Sequence, residues 1–223
     1  MATKKKIKST DNAGNDISES IASAYQRHFL AKGKRPISVS DFCRTTKIDE
    51  ATFYDHYSSF DTLEKRIWVG YLQTTIDTLR ASKEYSASPV KEKLLTFYFT
   101  LVEVLKKNRS FILLMSEKGF DLVRKNALDK SHTVFIEYID GLIKEGTDTG
   151  EVVKRPLISD KYGEAFWMQL LFVVGFWIKD ESQGFENTDA AIEKAVQLSF
   201  DLVGQGAVDS MIDMAKFIFQ NLK

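Results

Sequence analysis

An all-α fold is predicted by three observations on the 223-residue sequence. Apolar residues recur every three or four positions over long stretches, as on one face of a helix. No stretch alternates apolar and polar residues between turn signals as a half-buried strand does. Only three prolines interrupt the chain, while 43% hydrophobic and 12% aromatic residues supply material for a core. Nine to ten helices are expected, as a small N-terminal three-helix unit followed by a larger helical domain.

Residues 1–15 are polar, lysine-rich and aperiodic, and a flexible basic arm is expected there. Ile17, Ile21, Tyr25 and Phe29 then mark the first helix, which Gly33 stops by taking positive φ and Pro36 keeps from resuming. Ser38-Val39-Ser40-Asp41 has the form of a capping box and opens a helix of two turns, ended near Lys47. Asp49 can cap a second short helix carrying Thr52, Phe53, Tyr54 and Tyr57, and Ser59 can cap the next. Two short helices joined by a tight turn are what a helix-turn-helix means at this level.

The remainder is a helical series. One helix is expected over about 61–84 (Leu63, Ile67, Tyr71, Ile76, Leu79) and another over 90–107 (Leu94, Tyr98, Leu101, Val102, Leu105). A short one at 111–116 precedes a long one at about 120–145, with a loop at Gly146–Gly150. The stretch 158–179 is apolar nearly all round and must be buried on more than one side. Helices at 189–203 and 208–221 complete the chain, separated by Gly204-Gln205-Gly206.

Composition excludes several function classes. Cys43 is the sole cysteine, so no disulfide framework is possible and a reducing compartment fits. The longest apolar stretch, 166–178, is shorter than the roughly 20 residues of a membrane span. Lys4, Lys5, Lys6 and Lys8 are followed by a polar run, unlike a secretion signal. A cytoplasmic protein with no membrane association is expected. The three histidines (His28, His56, His132) form no His-x-x-x-His pair, Cys43 has no local histidine, and no phosphate-binding glycine loop follows a strand. No catalytic residue, metal site or cofactor is therefore expected. The balance of 31 basic and 31 acidic residues speaks, if anything, against nucleic acid.

Against that balance stands a motif. Ile37-Ser38-Val39-Ser40-Asp41-Phe42-Cys43, then Ile48-Asp49-Glu50-Ala51-Thr52-Phe53-Tyr54-Asp55-His56-Tyr57, then Ser59 and Leu63, resembles the DNA-binding domain of TetR/AcrR-type regulators. Phe29 and Gly33 fit the end of that family's first helix. The motif covers about residues 17–65; beyond it the likeness is one of size and helical pattern.

The resemblance implies a homodimer that binds a palindromic double-stranded operator through helix 3 and is released by a small, largely apolar effector. It implies an arm at 1–15, a helix-turn-helix domain at 16–62 and an effector-binding and dimerisation domain at 63–223. Thr52, Tyr54 and His56 would touch the sugar–phosphate backbone. Ser38 and Ser59 would aim helix-terminal amides at phosphates. Ser40, Glu50, Ala51 and Asp55 would read sequence, with Arg44 and Lys47 attracting phosphate. Phe42, Ile48, Phe53, Tyr57 and Leu63 would be core. An effector pocket is expected at Phe97, Phe111, Met115, Phe135, Tyr138 and Trp167, although an aromatic stripe at helical spacing serves a plain core equally well. The dimer interface is expected at Trp167, Leu171, Val174, Ile178, Ile192, Val196, Ala215 and Ile218.

The chain departs from the family pattern at two points. Lys47 stands where a glycine usually makes the turn, and Phe60 where a lysine usually holds phosphate. Helix 3 itself carries acids and no lysine or arginine. Local charge offsets this in part: residues 1–60 hold ten basic and seven acidic side chains. Lys34, Arg35, Arg44, Lys47 and the lysine arm are expected to supply the attraction, unless the arm is only a solvated tail. The competing reading is a dimeric helical interaction or sensor module with a degenerate helix-turn-helix that binds no specific DNA.

Overall fold

The computed structural model describes residues 3–117, 128–155, 159–204 and 206, with the side chains of residues 3–15 and Asp160 outside that description. Among the described residues there are ten α-helices, two short 3-10 turns and no strand. The helices are α1 (Thr3–Lys32), α2 (Val39–Thr46), α3 (Glu50–His56), α4 (Phe60–Arg80), α5 (Lys83–Ala87), α6 (Val90–Lys106), α7 (Arg109–Glu117), α8 (Asp129–Thr149), α9 (Tyr162–Lys179) and α10 (Glu186–Val203). The helix expected at 208–221 lies outside the described residues.

Two compact units divide the chain. One comprises Met1–Gly70 with Asn108–Asp129, the other Tyr71–Lys107 with Lys130–Lys223. This division falls inside α4, after Gly70, and α7 belongs with the first unit. The cause is packing: the Phe111 ring of α7 meets Phe29 at 5.5 Å and Tyr25 at 6.3 Å on α1.

The first unit closes around aromatic rings. Phe42 contacts Phe60 at 5.7 Å, and Tyr25 and Phe53 at 6.0 Å each. Phe53 also meets Phe60 at 5.7 Å, and all four side chains are buried. Edge-to-face rings at such separations contribute beyond their buried area. Phe42, Phe53, Tyr57 and Leu63 are core as expected, while Ile48 is only half-buried.

Several boundaries differ from the periodic reading. Residues 1–15 were expected as a flexible arm, but α1 is continuous from Thr3. Extending an existing helix costs far less than nucleating one, and lysines are good helix formers. The stretch 61–84 is two helices, because Ser82 caps α5 by accepting the Tyr85 amide at 3.1 Å. Helix α8 continues through the loop expected at 146–150, to Thr149. Gly146 is there for space: a Cβ would lie 2.6 Å from Val152 Cγ2.

In the second unit α6, α9 and α10 pack together. Residues 151–155 tie two helix ends. The Glu151 carboxylate accepts the Val90 and Lys91 amides at 3.0 and 3.2 Å, capping α6. The Arg155 guanidinium donates to the Leu202 and Gly204 carbonyls at 3.1 and 2.7 Å, at the end of α10. No described helix is long and apolar enough to cross a membrane.

Candidate nucleic-acid interface

Caps set the geometry of α2 and α3. Ser38 Oγ accepts the Asp41 amide at 3.1 Å, and Asp49 Oδ2 accepts the Thr52 amide at 3.1 Å. Between them Lys47 takes φ 59° and ψ 30°, so the chain turns through the left-handed region that the family's glycine would occupy. The Lys47 and Ile48 amides both donate to the Cys43 carbonyl. Ser59 and Thr62 cap α4 reciprocally, the Thr62 amide donating to Ser59 Oγ at 3.3 Å and the Ser59 amide to Thr62 Oγ1 at 3.1 Å.

Anchoring one face of α3 in the core leaves the other in solvent. Phe53 and Tyr57 are buried, and the Tyr57 hydroxyl reaches α1, 2.7 Å from Ser18 Oγ. Glu50, Ala51, Tyr54 and Asp55 are exposed, and Thr52 and His56 half-buried at its edges. Ser38, Ser40, Arg44 and Lys47 are exposed as well, and Ser59 is half-buried. Each of these residues is thus at least partly open to solvent.

The charges are arranged less simply. Arg35, expected to attract phosphate, is engaged within the unit: it binds Glu64 through Nε and Nη2, and also pairs with Asp61. Tyr25 donates to the same Glu64 carboxylate, and burial, then Glu64, hold its phenol well above the ordinary value. Arg44 pairs with Asp41 at 2.6 Å but remains largely exposed. Phe60, in the lysine's place, is buried against Tyr25, Phe42 and Phe53. Burial, with Glu50 and Asp49 nearby, pushes the Cys43 thiol up, away from the reactive thiolate. No group of three His, Cys, Asp or Glu among the described residues could hold a metal.

In the second unit four of the six expected pocket residues form a linked set. Tyr138 stacks on Phe97 at 4.7 Å, Phe97 meets Phe135 at 5.6 Å, and Phe135 meets Trp167 at 5.8 Å. Tyr85 and Tyr138 share a hydroxyl–hydroxyl bond of 2.5 Å. Phe111 and Met115 are buried residues of the first unit. A small apolar cavity of about 10 Å³ lies among Val90, Leu94, Ile139, Leu142, Val152 and Phe166, about the space of a single water.

The residues expected at a dimer interface differ in exposure. Val174, Ile192 and Val196 are buried in the chain's own core, and Trp167, Leu171 and Ile178 are half-buried. Ala215 and Ile218 lie outside the described residues. On α9 and α10 the exposed large apolar residues are Met168, Phe172, Phe176, Leu198 and Leu202. Their spacing of four along each helix was visible in the sequence; α9 is so uniformly apolar that periodicity could not say which stripe faced outward.

Residues 93–218 match the family of tetracyclin repressor-like C-terminal domains. The fold is similar to a TetR-family transcription regulator of Shewanella sp. PV-4, with 15% identity, a TM-score of 0.59, and coverage of 83% of this chain and 97% of that one. It is also similar to a TetR-family transcriptional regulator of Syntrophomonas wolfei str. Goettingen, with 16% identity, a TM-score of 0.63, and coverage of 87% and 98%. A protein of unknown function from Rhodococcus sp. RHA1 shares the fold at 10% identity and a TM-score of 0.53, with coverage of 85% and 96%. No curated protein matches the sequence.

Proposed function

Because the chain belongs to the TetR family of transcriptional regulators, we propose that it acts as a homodimer on a palindromic operator and is released by a small, largely apolar effector. The observation that carries this reading is the sorting of α3, with Phe53 and Tyr57 buried and Glu50, Ala51, Tyr54 and Asp55 exposed. A recognition helix needs such a split, one face held rigidly and the other free to enter the major groove. Tyr54, His56, Thr52 and the capped starts of α2 and α4 would hold phosphates, fixing register without reading sequence. Ser40, Glu50, Ala51 and Asp55 would face base edges, and exposed Arg44 and Lys47 would supply attraction.

Met168, Phe172 and Phe176 with Leu198 and Leu202 are the surface we assign to the second copy, since exposed apolar side chains at helical spacing call for a partner. The effector would enter among Phe97, Phe135, Tyr138 and Trp167, where aromatic walls suit an apolar ligand. No chemistry is required. An effector that binds the DNA-incompetent state better shifts the population towards it, and operator must weaken effector binding by the same factor.

The test is selection from random duplex DNA with the purified full-length protein at low and high salt. An enriched palindrome whose affinity falls steeply with salt supports this reading. A dimer that enriches no sequence would instead indicate a helical interaction module. The buried Phe60 and the engaged Arg35, two positions that bring no charge to DNA, are the observations favouring that alternative.

A further inference from the structure

We propose that α3 selects cytosine in each half-site through the carboxylates of Glu50 and Asp55, an inference that rests on the operator-binding reading above. Glu50 and Tyr54, and Ala51 and Asp55, are i,i+4 neighbours, so the four exposed residues form one continuous face. That face offers two carboxylates, a methyl and a phenol. It holds no Arg, Lys, Asn or Gln, the side chains that take guanine O6/N7 or adenine N6/N7 with two hydrogen bonds.

Around α3 four other carboxylates already have partners. Asp41 pairs with Arg44, Asp49 caps α3, and Asp61 and Glu64 hold Arg35. The Glu50 and Asp55 carboxylates have no hydrogen bond or ion pair among the described residues, and both residues are exposed. On the exposed face of α3 they are the carboxylates open to an external donor.

An ionised carboxylate only accepts hydrogen bonds. Guanine presents two acceptors to the major groove and thymine a carbonyl beside its methyl, so each repels a carboxylate. Adenine offers an amino donor but sets the N7 acceptor next to it. Cytosine presents its N4 amino donor with no acceptor on its own groove edge, and is the base a carboxylate fits best. Between the two acids, the Ala51 methyl suits a thymine methyl. Carboxylates near phosphates lower affinity for every sequence. Against a wrong base they are also desolvated without a donor, so they widen the gap between right and wrong sites.

Selection is run on the full-length wild type, Glu50→Gln and Asp55→Asn, isosteric changes at exposed positions. The wild type should enrich a palindrome with cytosine in each half-site, and replacing that cytosine by N4-methylcytosine should weaken binding about tenfold. Glu50→Gln or Asp55→Asn should move the preference at that position towards adenine, which an amide takes through N6 and N7. An enriched palindrome whose base preferences neither variant changes, or one bound equally well with N4-methylcytosine, would overturn the cytosine assignment and leave operator binding standing. Failure of the wild type to enrich any sequence would overturn both.

Discussion

The Arg35 guanidinium grips the Glu64 carboxylate with both ends of its fork, Nε to Oε1 at 3.0 Å and Nη2 to Oε2 at 2.5 Å. Arg35 is part-exposed while Glu64 is buried, and the pair spans the turn after α1 and the body of α4. A residue that sequence position assigns to phosphate is therefore a structural clamp.

Arg35→Ala leaves the Glu64 carboxylate buried with only Tyr25 as a partner. Truncating one partner of a buried pair costs up to roughly 3–5 kcal/mol, and about 2 kcal/mol is expected here because Arg35 is partly solvated. Chemical denaturation should show a lower midpoint in Arg35→Ala that the double variant Arg35→Ala/Glu64→Leu partly restores. An unchanged midpoint would remove the clamp from the account.

Lys47 adopts φ 59° with an exposed side chain. Lys47→Gly should raise stability by about 1 kcal/mol, because glycine takes this conformation without steric cost. In the same protein, non-specific DNA affinity should fall slightly with the loss of one cation. Thermal melting reports the first effect and the salt dependence of binding the second.

Asp180 receives the Thr188 amide and hydroxyl at 2.8 and 2.6 Å and the Ser182 amide and hydroxyl at 2.9 and 2.7 Å. These donors, Thr188 first, hold its carboxyl down at about 2. A carboxylate depressed below its unfolded value of roughly 3.9 stabilises the fold above that pH and loses the contribution as pH falls towards 2. The wild type should lose stability between about pH 4 and pH 2, and Asp180→Asn should flatten the profile in that window. An identical slope in both proteins would contradict the role assigned to Asp180.

Phe172 and Phe176 stand exposed on α9, at 53% and 37%. Changing both to glutamate should turn the proposed dimer into a folded monomer, since neither side chain fills the core and paired charges oppose an apolar interface. Sedimentation should give the monomer mass with unchanged helical content. A dimer of wild-type affinity would move the interface elsewhere.

Local chemistry was legible in the sequence wherever it is settled within a few residues. Ser38, Asp49 and Ser59 cap the helices they were expected to cap, and Gly33 closes α1 with φ +66°. The family resemblance implied Phe42, Phe53 and Tyr57 as core of the N-terminal unit, and all three are buried. Three things were not legible. Phe60 was read as a missing phosphate ligand, and only its contacts with Tyr25, Phe42 and Phe53 make it core. Phe111 and Met115 share helical spacing with the aromatic stripe of the second unit, although α7 packs on α1. Helix α9 carries apolar residues on all sides, so no periodicity distinguishes Val174, buried, from Phe172, exposed.

The sequence by itself determined the helical class and most caps, because hydrogen bonds and apolar periodicity within a helix span only a few residues. Tertiary structure alone decided which arginine is engaged by a carboxylate, which unit α7 joins and which stripe of α9 meets solvent. Those outcomes depend on partners far apart in the chain. Glu64 lies 29 positions from Arg35, and spacing along the sequence carries no record of such a meeting.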